Sequence, residues 1–296
     1  MVNSNQTVFG KVFSLDSLLR PADGEPEKLS LRGRGTEELY FVTPRHQLIT
    51  VVPYAWGRGP NRILVETVPS PDERIIAEGW QLTNQELLFP TGESLSLAHA
   101  KWHPSDVLEA VKDFPGHLRI ALNRIQKKLD PDLEARLQIL AQALKTPLAE
   151  AVELPLIKVI GFGHGNHPDG DAALCGLLLT GRAVSLGKRL RANWLPRLVP
   201  EIGRLLHRTP KISGALIRFA IEGRTTERQE RFFGAMGRDY ESAVETALEN
   251  LMESAESGSL AFLSGVRTAI EMVQQDMEVA QPRPFSRSAA GRAPKA

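Results

Sequence analysis

A change of periodicity near residue 104 limits most strongly what this chain can become. Before it, short runs rich in β-formers recur: Val8–Phe13, Leu39–Val42, Gln47–Val52, Arg62–Val68, Gln81–Leu82, Glu86–Phe89 and Ser94–Leu97. Turn formers punctuate them at Pro21–Gly24, Thr43-Pro44, Gly57–Pro60, Pro69–Pro71 and Thr91-Gly92. Strands this short and this regularly interrupted predict a compact antiparallel sheet or barrel. The polar stretch Pro21–Gly35 reads as loop. After the helix-start sequence Pro104-Ser105-Asp106, apolar residues recur every three or four positions. Val107, Leu108, Val111 and Phe114 share one helical face, Leu118, Leu122, Ile125 and Leu129 a second, and Leu133, Leu137, Leu140 and Leu144 a third, opened by Asp130-Pro131.

Further stripes cover Pro196–Arg208, Ile212–Glu222 and Asp239–Met252, and the cleanest is Leu263, Val266, Ile270, Val273, Met277. Thr226-Glu-Arg-Gln229 has the form of a capping box, and Gly223 stands where a helix C-terminal glycine belongs. The expected fold class is therefore α+β. A β-rich N-terminal barrel or sheet (7–103) precedes a mainly α-helical domain (104–280), and a basic tail (281–296) reads as disordered.

Charge sets limits on partners. The chain has a formal net charge of +1. The tail carries Arg283, Arg287, Arg292 and Lys295 with no acid, so the remainder is slightly acidic. Neither nucleic acid nor an anionic membrane is an expected partner. No apolar run is long enough to span a bilayer, and the opening MVNSNQTVFGKVF lacks the basic-then-apolar order of a secretion signal. Cys175 is the only cysteine, which excludes an intrachain disulfide and fits a reducing, cytoplasmic setting.

Chemistry concentrates in Leu156–Gly176, LIKVIGFGHGNHPDGDAALCG. The apolar run Leu156–Ile160 reads as a strand entering a loop with glycines at 161, 163 and 165. The loop carries His164, Asn166 and His167, turns at Pro168, and adds Asp169, Gly170 and Asp171 ahead of an apolar helix. Strand, glycines and helix suggest a nucleotide loop. However, Asn166 occupies the place of the third glycine, and no Gly-Lys-Ser/Thr follows. A general anion loop is the next reading, built from backbone N–H groups and a helix N-terminus. The paired aspartates repel a bare phosphate but suit a divalent cation such as Mg bridging carboxylate and phosphate. A transition-metal site from His164, His167, Asp169 and Asp171 is a third reading. The plain alternative is that an aspartate caps the helix and the glycines permit close packing.

Outside the loop, Ser213 stands at a helix start and either caps it or lines the same cleft; Ser257, before Gly258, is similar. His99 and His103 read as surface residues, and Cys175 as a buried small apolar one. The basic run Lys188–Arg191 with Arg182 reads as a solvated face. Asp169–Gly176 is weakly echoed by Ser257–Gly265, a hint of internal duplication.

The pattern Gly161-x-Gly-x-Gly165-x-x-Pro168-x-Gly170-Asp171-x-x-Leu174-x-Gly176 resembles the signature of the AllH-like family, which includes a subunit of bacterial oxamate carbamoyltransferase. Thr209-Pro-Lys-Ile-Ser213, Glu222-Gly223, Ser257-Gly258 and the early Gly10-Lys-Val-Phe13 resemble its other motifs, in order. His167, Asp169 and Ala172 stand where family members usually have Thr, Ser and a second Asp. The resemblance implies a cytoplasmic subunit working with partner subunits in nitrogen or purine-derivative catabolism. Its reaction would be phosphorolysis of a carbamoylated acid to carbamoyl phosphate.

On that basis Gly163, His164, Gly165, Asn166, Gly170, Ser213 and Ser257 are expected to bind a small anionic or carbamoylated metabolite. Asp171 is expected to orient the substrate nitrogen or a cation, and His167 or Asp169 to move a proton. The alternative is a non-catalytic metabolite-binding or scaffolding subunit.

Overall fold

The computed structural model describes residues 8–16, 19, 21, 25–35, 37–68, 79–103, 129–146, 148, 150–187, 191–236, 241–253 and 258–280. Among the described residues nine strands lie in the N-terminal part: β1 (Val8–Asp16), β2 (Glu27–Arg34), β3 (Leu39–Val42), β4 (Leu48–Pro53), β5 (Arg62–Val65), β6 (Trp80–Leu82), β7 (Glu86–Leu88), β8 (Ser94–Ser96) and β9 (Lys101–His103). They form one sheet in the order β5-β4-β3-β2-β6-β7-β8-β1-β9, and a further β1–β5 pairing curls the sheet round on itself. The sheet is mixed rather than antiparallel throughout. β1 runs parallel to β8 and β9, and β4 parallel to β5. The last pairing follows from the crossover through the 3₁₀ turn Tyr54–Trp56, which returns the chain in its original direction.

Side-chain alternation along the strands gives the sheet two distinct faces. Leu39 and Phe41 on β3, Ile49 and Val51 on β4, and Ile63 and Val65 on β5 point inward to a core shared with Trp80, Leu82, Leu87 and Leu95. Trp80 stacks between Phe41 and Phe89 at centroid distances of 4.8 and 4.6 Å. The intervening residues face the other way, and Tyr40 and Leu48 meet Ile212 of the helical part. The expected loop at Pro21–Gly35 is corrected: Glu27–Arg34 is β2, paired with both β3 and β6. Leu29 and Leu31 are its apolar side chains, set among Glu27, Lys28, Ser30, Arg32 and Arg34, so the strand reads as polar.

Among the described residues eight α-helices follow: α1 (Pro131–Lys145), α2 (Glu150–Val159), α3 (Asp169–Leu186), α4 (Leu195–Leu205), α5 (Lys211–Glu222), α6 (Glu227–Met236), α7 (Glu241–Met252) and α8 (Ser259–Ala280). The two stripes expected over Val107–Leu129 lie almost wholly outside the described residues. Asp130 caps α1 by accepting from the Asp132 N–H at 2.8 Å. The Thr226–Gln229 capping box forms in both directions.

Leu156–Ile160 is not a strand. It is the end of helix α2, continued by an Ile160 N–H bond to the Leu156 carbonyl. Val152, Leu156 and Val159 are buried at helical spacing, while Leu154 between them is 70% exposed.

α3 is the axis of this half, and its burial reaches all round the helix. It crosses α8 through reciprocal glycines. A Cβ on Gly176 would lie 2.0 Å from the Phe262 carbonyl oxygen, and one on Gly265 would lie 1.8 Å from that of Ala173. Each glycine thus meets the residue three positions before the other, and a Cβ on Gly258 would approach the Ala172 Cβ at 2.9 Å. The two helices therefore run in the same sense, with their N-termini side by side. The echo between Asp169–Gly176 and Ser257–Gly265 corresponds to this paired crossing.

Candidate functional site

Where the outer face of β3–β5 meets the helices, a cavity of about 120 Å³ remains. Tyr40, Thr50 and Arg62 form its floor. They are cross-strand partners on β3, β4 and β5 and line it in a row. With strands about 4.8 Å apart, the outer two stand roughly 10 Å from each other at their backbones. The helical wall is made mainly by α3, α5 and α8, which lie along the cavity and contribute Asp171 and Cys175, Ser213 and Leu216, and Ser259 and Phe262.

A hydrogen-bonded chain runs along one side. The Tyr40 hydroxyl donates to Glu38 Oε1 at 2.7 Å and is also bonded to His167 Nε2. A phenol has one proton. With that proton given to Glu38, the Tyr40 oxygen accepts from His167, so Nε2 carries the hydrogen. The two rings are tilted, 5.3 Å between centroids.

On the other side stands Arg224. Gly223, at φ +79°, ends α5 in the left-handed conformation, and the N–H groups of Gly223 and Arg224 bond to the Ala220 and Phe219 carbonyls. This double closure fixes the residue after the glycine. The Arg224 guanidinium lies 4.6 Å over the Phe219 ring and donates to Asp16 Oδ2 and Asn61 Oδ1, both at 2.9 Å.

The predicted loop residues separate into two groups. His167, Asp171 and Ser213 line the cavity. Gly163, His164, Gly165, Asn166, Asp169 and Gly170 do not line it, and Ser257 lies outside the described residues. Asp171 is 1% exposed and bonded on both oxygens: Oδ1 accepts from the Gly161 N–H at 2.8 Å, and Oδ2 from the Thr209 hydroxyl. It therefore ties the end of α2 and the approach to α5 to the start of α3.

No side chain caps α3, whose N-cap is Pro168, and Ser213 lies within the first turn of α5 rather than capping it. Gly161, Gly163 and Gly170 make room for the chain's own backbone. A Cβ on Gly170 would meet the Val159 carbonyl oxygen at 1.8 Å, one on Gly161 that of Arg208 at 2.8 Å, and one on Gly163 the Asp169 nitrogen at 2.7 Å. The Asn166 amide lies against β2, 3.0 Å from where a Cβ of Gly33 would stand.

The four-ligand metal reading does not hold: among the described residues no three His, Cys, Asp or Glu side chains come together to hold an ion. Burial pushes the Asp169 carboxyl up, Asp130 adds to the rise, and His164 opposes it. The Cys175 thiol, on the cavity wall, is pushed far up by burial and by the Asp171 charge, so it stays protonated.

Glu38, Tyr40, Thr50, Arg62 and Arg224 were absent from the sequence-based site. Only Arg224 carried a local signal, as the residue after a helix-terminating glycine.

A family model described as oxamate carbamoyltransferase subunit AllH matches residues 159–270. The match runs from the last residue of α2 into α8 and so covers the helical wall of the cavity, but not its sheet floor. No curated protein and no solved structure matches the chain. Among the described residues, no helix is long and apolar enough to cross a membrane.

Proposed function

We propose that this chain is a subunit of a carbamoyltransferase related to oxamate carbamoyltransferase, and that the cavity between sheet and helices binds its small anionic or carbamoylated substrate. The observation that carries this reading is the Glu38–Tyr40–His167 chain, set on a cavity whose helical wall falls within the matched segment. In the transfer, the bond between the carbamoyl carbon and the acid's nitrogen breaks. A bond from that carbon to a phosphate oxygen forms, and the departing nitrogen takes up a proton. That proton comes from the attacking hydrogen phosphate: His167, its Nε2–H held by Tyr40 and Tyr40 by Glu38, takes it at Nδ1 and passes it to the nitrogen. Asp171 acts by holding the α3 entry in register, and Ser213 donates from the helical wall. Partner subunits complete the enzyme, since the matching family is named for one subunit.

The volume supports a small substrate. The enclosed room is about 120 Å³.

The test is carbamoyl phosphate formation from oxalurate and phosphate by the chain reconstituted with its partner subunits. A positioned acid or base contributes about 10²–10⁴-fold, so His167→Asn should cut turnover at least about a hundredfold while the complex still assembles. Unchanged turnover in that variant would favour a metabolite-binding subunit that does no chemistry.

A further inference from the structure

Two guanidiniums face the cavity, and the fold takes trouble over where they stand. Arg62 is 9% exposed, and its Nη1 donates to the Trp56 and Gly57 carbonyls at 3.5 and 3.4 Å. Its stem runs beneath the 57–60 loop, where a Cβ on Gly59 would meet the Arg62 Cδ at 2.8 Å.

Arg224 is held from a strand 208 residues away by Asp16, which is fully buried. Asn61 joins them with every polar group engaged. Its N–H donates to Asp16 Oδ2 at 2.9 Å, its Nδ2 to the Leu48 carbonyl at 2.8 Å, and its Oδ1 accepts from Arg224. It does so at φ +52°, a conformation that asparagine tolerates and most residues do not. A buried ion pair is weak evidence of stability, because desolvation offsets the Coulomb gain. Backbone strain of this kind collects at ligand-holding sites. The network joins β1, β5 and the α5–α6 junction, and what it fixes is the direction of one guanidinium. Arg62, the residue after Asn61, brings the second to the same cavity.

We propose that Arg62 and Arg224 clamp the carboxylate of a two- or three-carbon acid, with Asp16 and Asn61 as positioning residues. The inference rests on the cavity being the substrate site and deepens it. The acid lies with its carboxylate on the guanidiniums and its other end toward Tyr40 and His167, along the row Tyr40–Thr50–Arg62. Guanidiniums suit this task because their planar fork matches a carboxylate with paired, charge-assisted bonds.

The experiment is calorimetric titration of the purified full chain with oxamate and with oxamide, its uncharged counterpart of the same size. Wild type should prefer oxamate. Arg62→Gln should weaken oxamate roughly ten- to hundredfold, as expected for loss of a charge-assisted contact, and change oxamide less than about threefold. Asp16→Asn should erode the oxamate-over-oxamide preference itself, a ratio that a merely structural role leaves alone. Because Arg224→Gln strands a buried aspartate, the double variant Asp16→Asn/Arg224→Gln serves in its place. It should lose the preference while remaining folded.

Wild-type oxamate affinity in Arg62→Gln would overturn the clamp, as would equal binding of the two ligands by the wild type. Normal oxamate selectivity in a chain whose complex forms no carbamoyl phosphate would leave the clamp standing and count against the transfer reaction. Unaltered affinity in Arg62→Gln alongside active transfer would do the reverse.

Discussion

Replacing Asp171 by alanine tests what this carboxylate is for. It is 1% exposed, and its two oxygens accept from the Gly161 N–H and the Thr209 hydroxyl. Hydrogen bonds to a charged partner are worth about 1.5–3 kcal/mol each, and removing the acceptor strands two buried donors. The loss is therefore about 3–6 kcal/mol. For domains of this size 1 kcal/mol moves the thermal midpoint by roughly 2–4 °C, so Asp171→Ala should lower it by roughly 6–24 °C. Asp171→Asn keeps an acceptor for Gly161 and an amide able to donate to the Thr209 oxygen, and should lose about half as much. Scanning calorimetry on the two variants measures this directly. A midpoint for Asp171→Ala within about 2 °C of wild type would refute the structural role assigned to the residue.

Three further outcomes follow from the same geometry. Gly176→Ala pushes a Cβ to 2.0 Å from the Phe262 carbonyl, so urea unfolding should show a net loss. Overpacking of about 1–3 kcal/mol exceeds the gain of up to about 1 kcal/mol from alanine's helix propensity. Cys175, with its thiol pushed up by burial and by Asp171, should react with iodoacetamide at pH 8 at least about tenfold more slowly in the native chain than in urea; equal rates would contradict its assignment. Burial pushes the Glu227 carboxyl up, but the Arg58 N–H and the Arg231 and Arg58 guanidiniums outweigh it, so the carboxyl titrates below its ordinary 4.5. A lowered value stabilises the fold above the ordinary pKa and is lost as pH falls through the folded one. Glu227→Gln should therefore be less stable than wild type at pH 7 and converge with it in chemical unfolding as pH falls through the lowered folded-state pKa.

The order of sheet then helices was legible because period-2 and period-3.6 patterns do not overlap over long stretches. Short or mixed patterns misled. Leu156–Ile160 is an uninterrupted apolar run, and five residues cannot tell a strand from the buried end of a helix. The deciding signal was upstream, where Val152 and Leu156 are buried and Leu154 is not. β2 was missed because its apolar positions are only Leu29 and Leu31 among charges.

At the site, local sequence located the α3 entry, His167 and Ser213. It misread the glycines as room for a ligand when most of them make room for backbone. The sheet residues were beyond its reach. Tyr40 meets His167 across 127 positions, and Asp16 meets Arg224 across 208. Only the curling of the sheet and its outward-facing row bring them to the helices.

The most direct test is a crystal structure of the chain grown with oxamate. The account predicts ligand density in the cavity floored by Tyr40, Thr50 and Arg62, with the carboxylate against Arg62 and Arg224 and the amide end toward His167. Oxamate bound instead along the exposed His164–Asn166 stretch, with this cavity filled only by water, would contradict it.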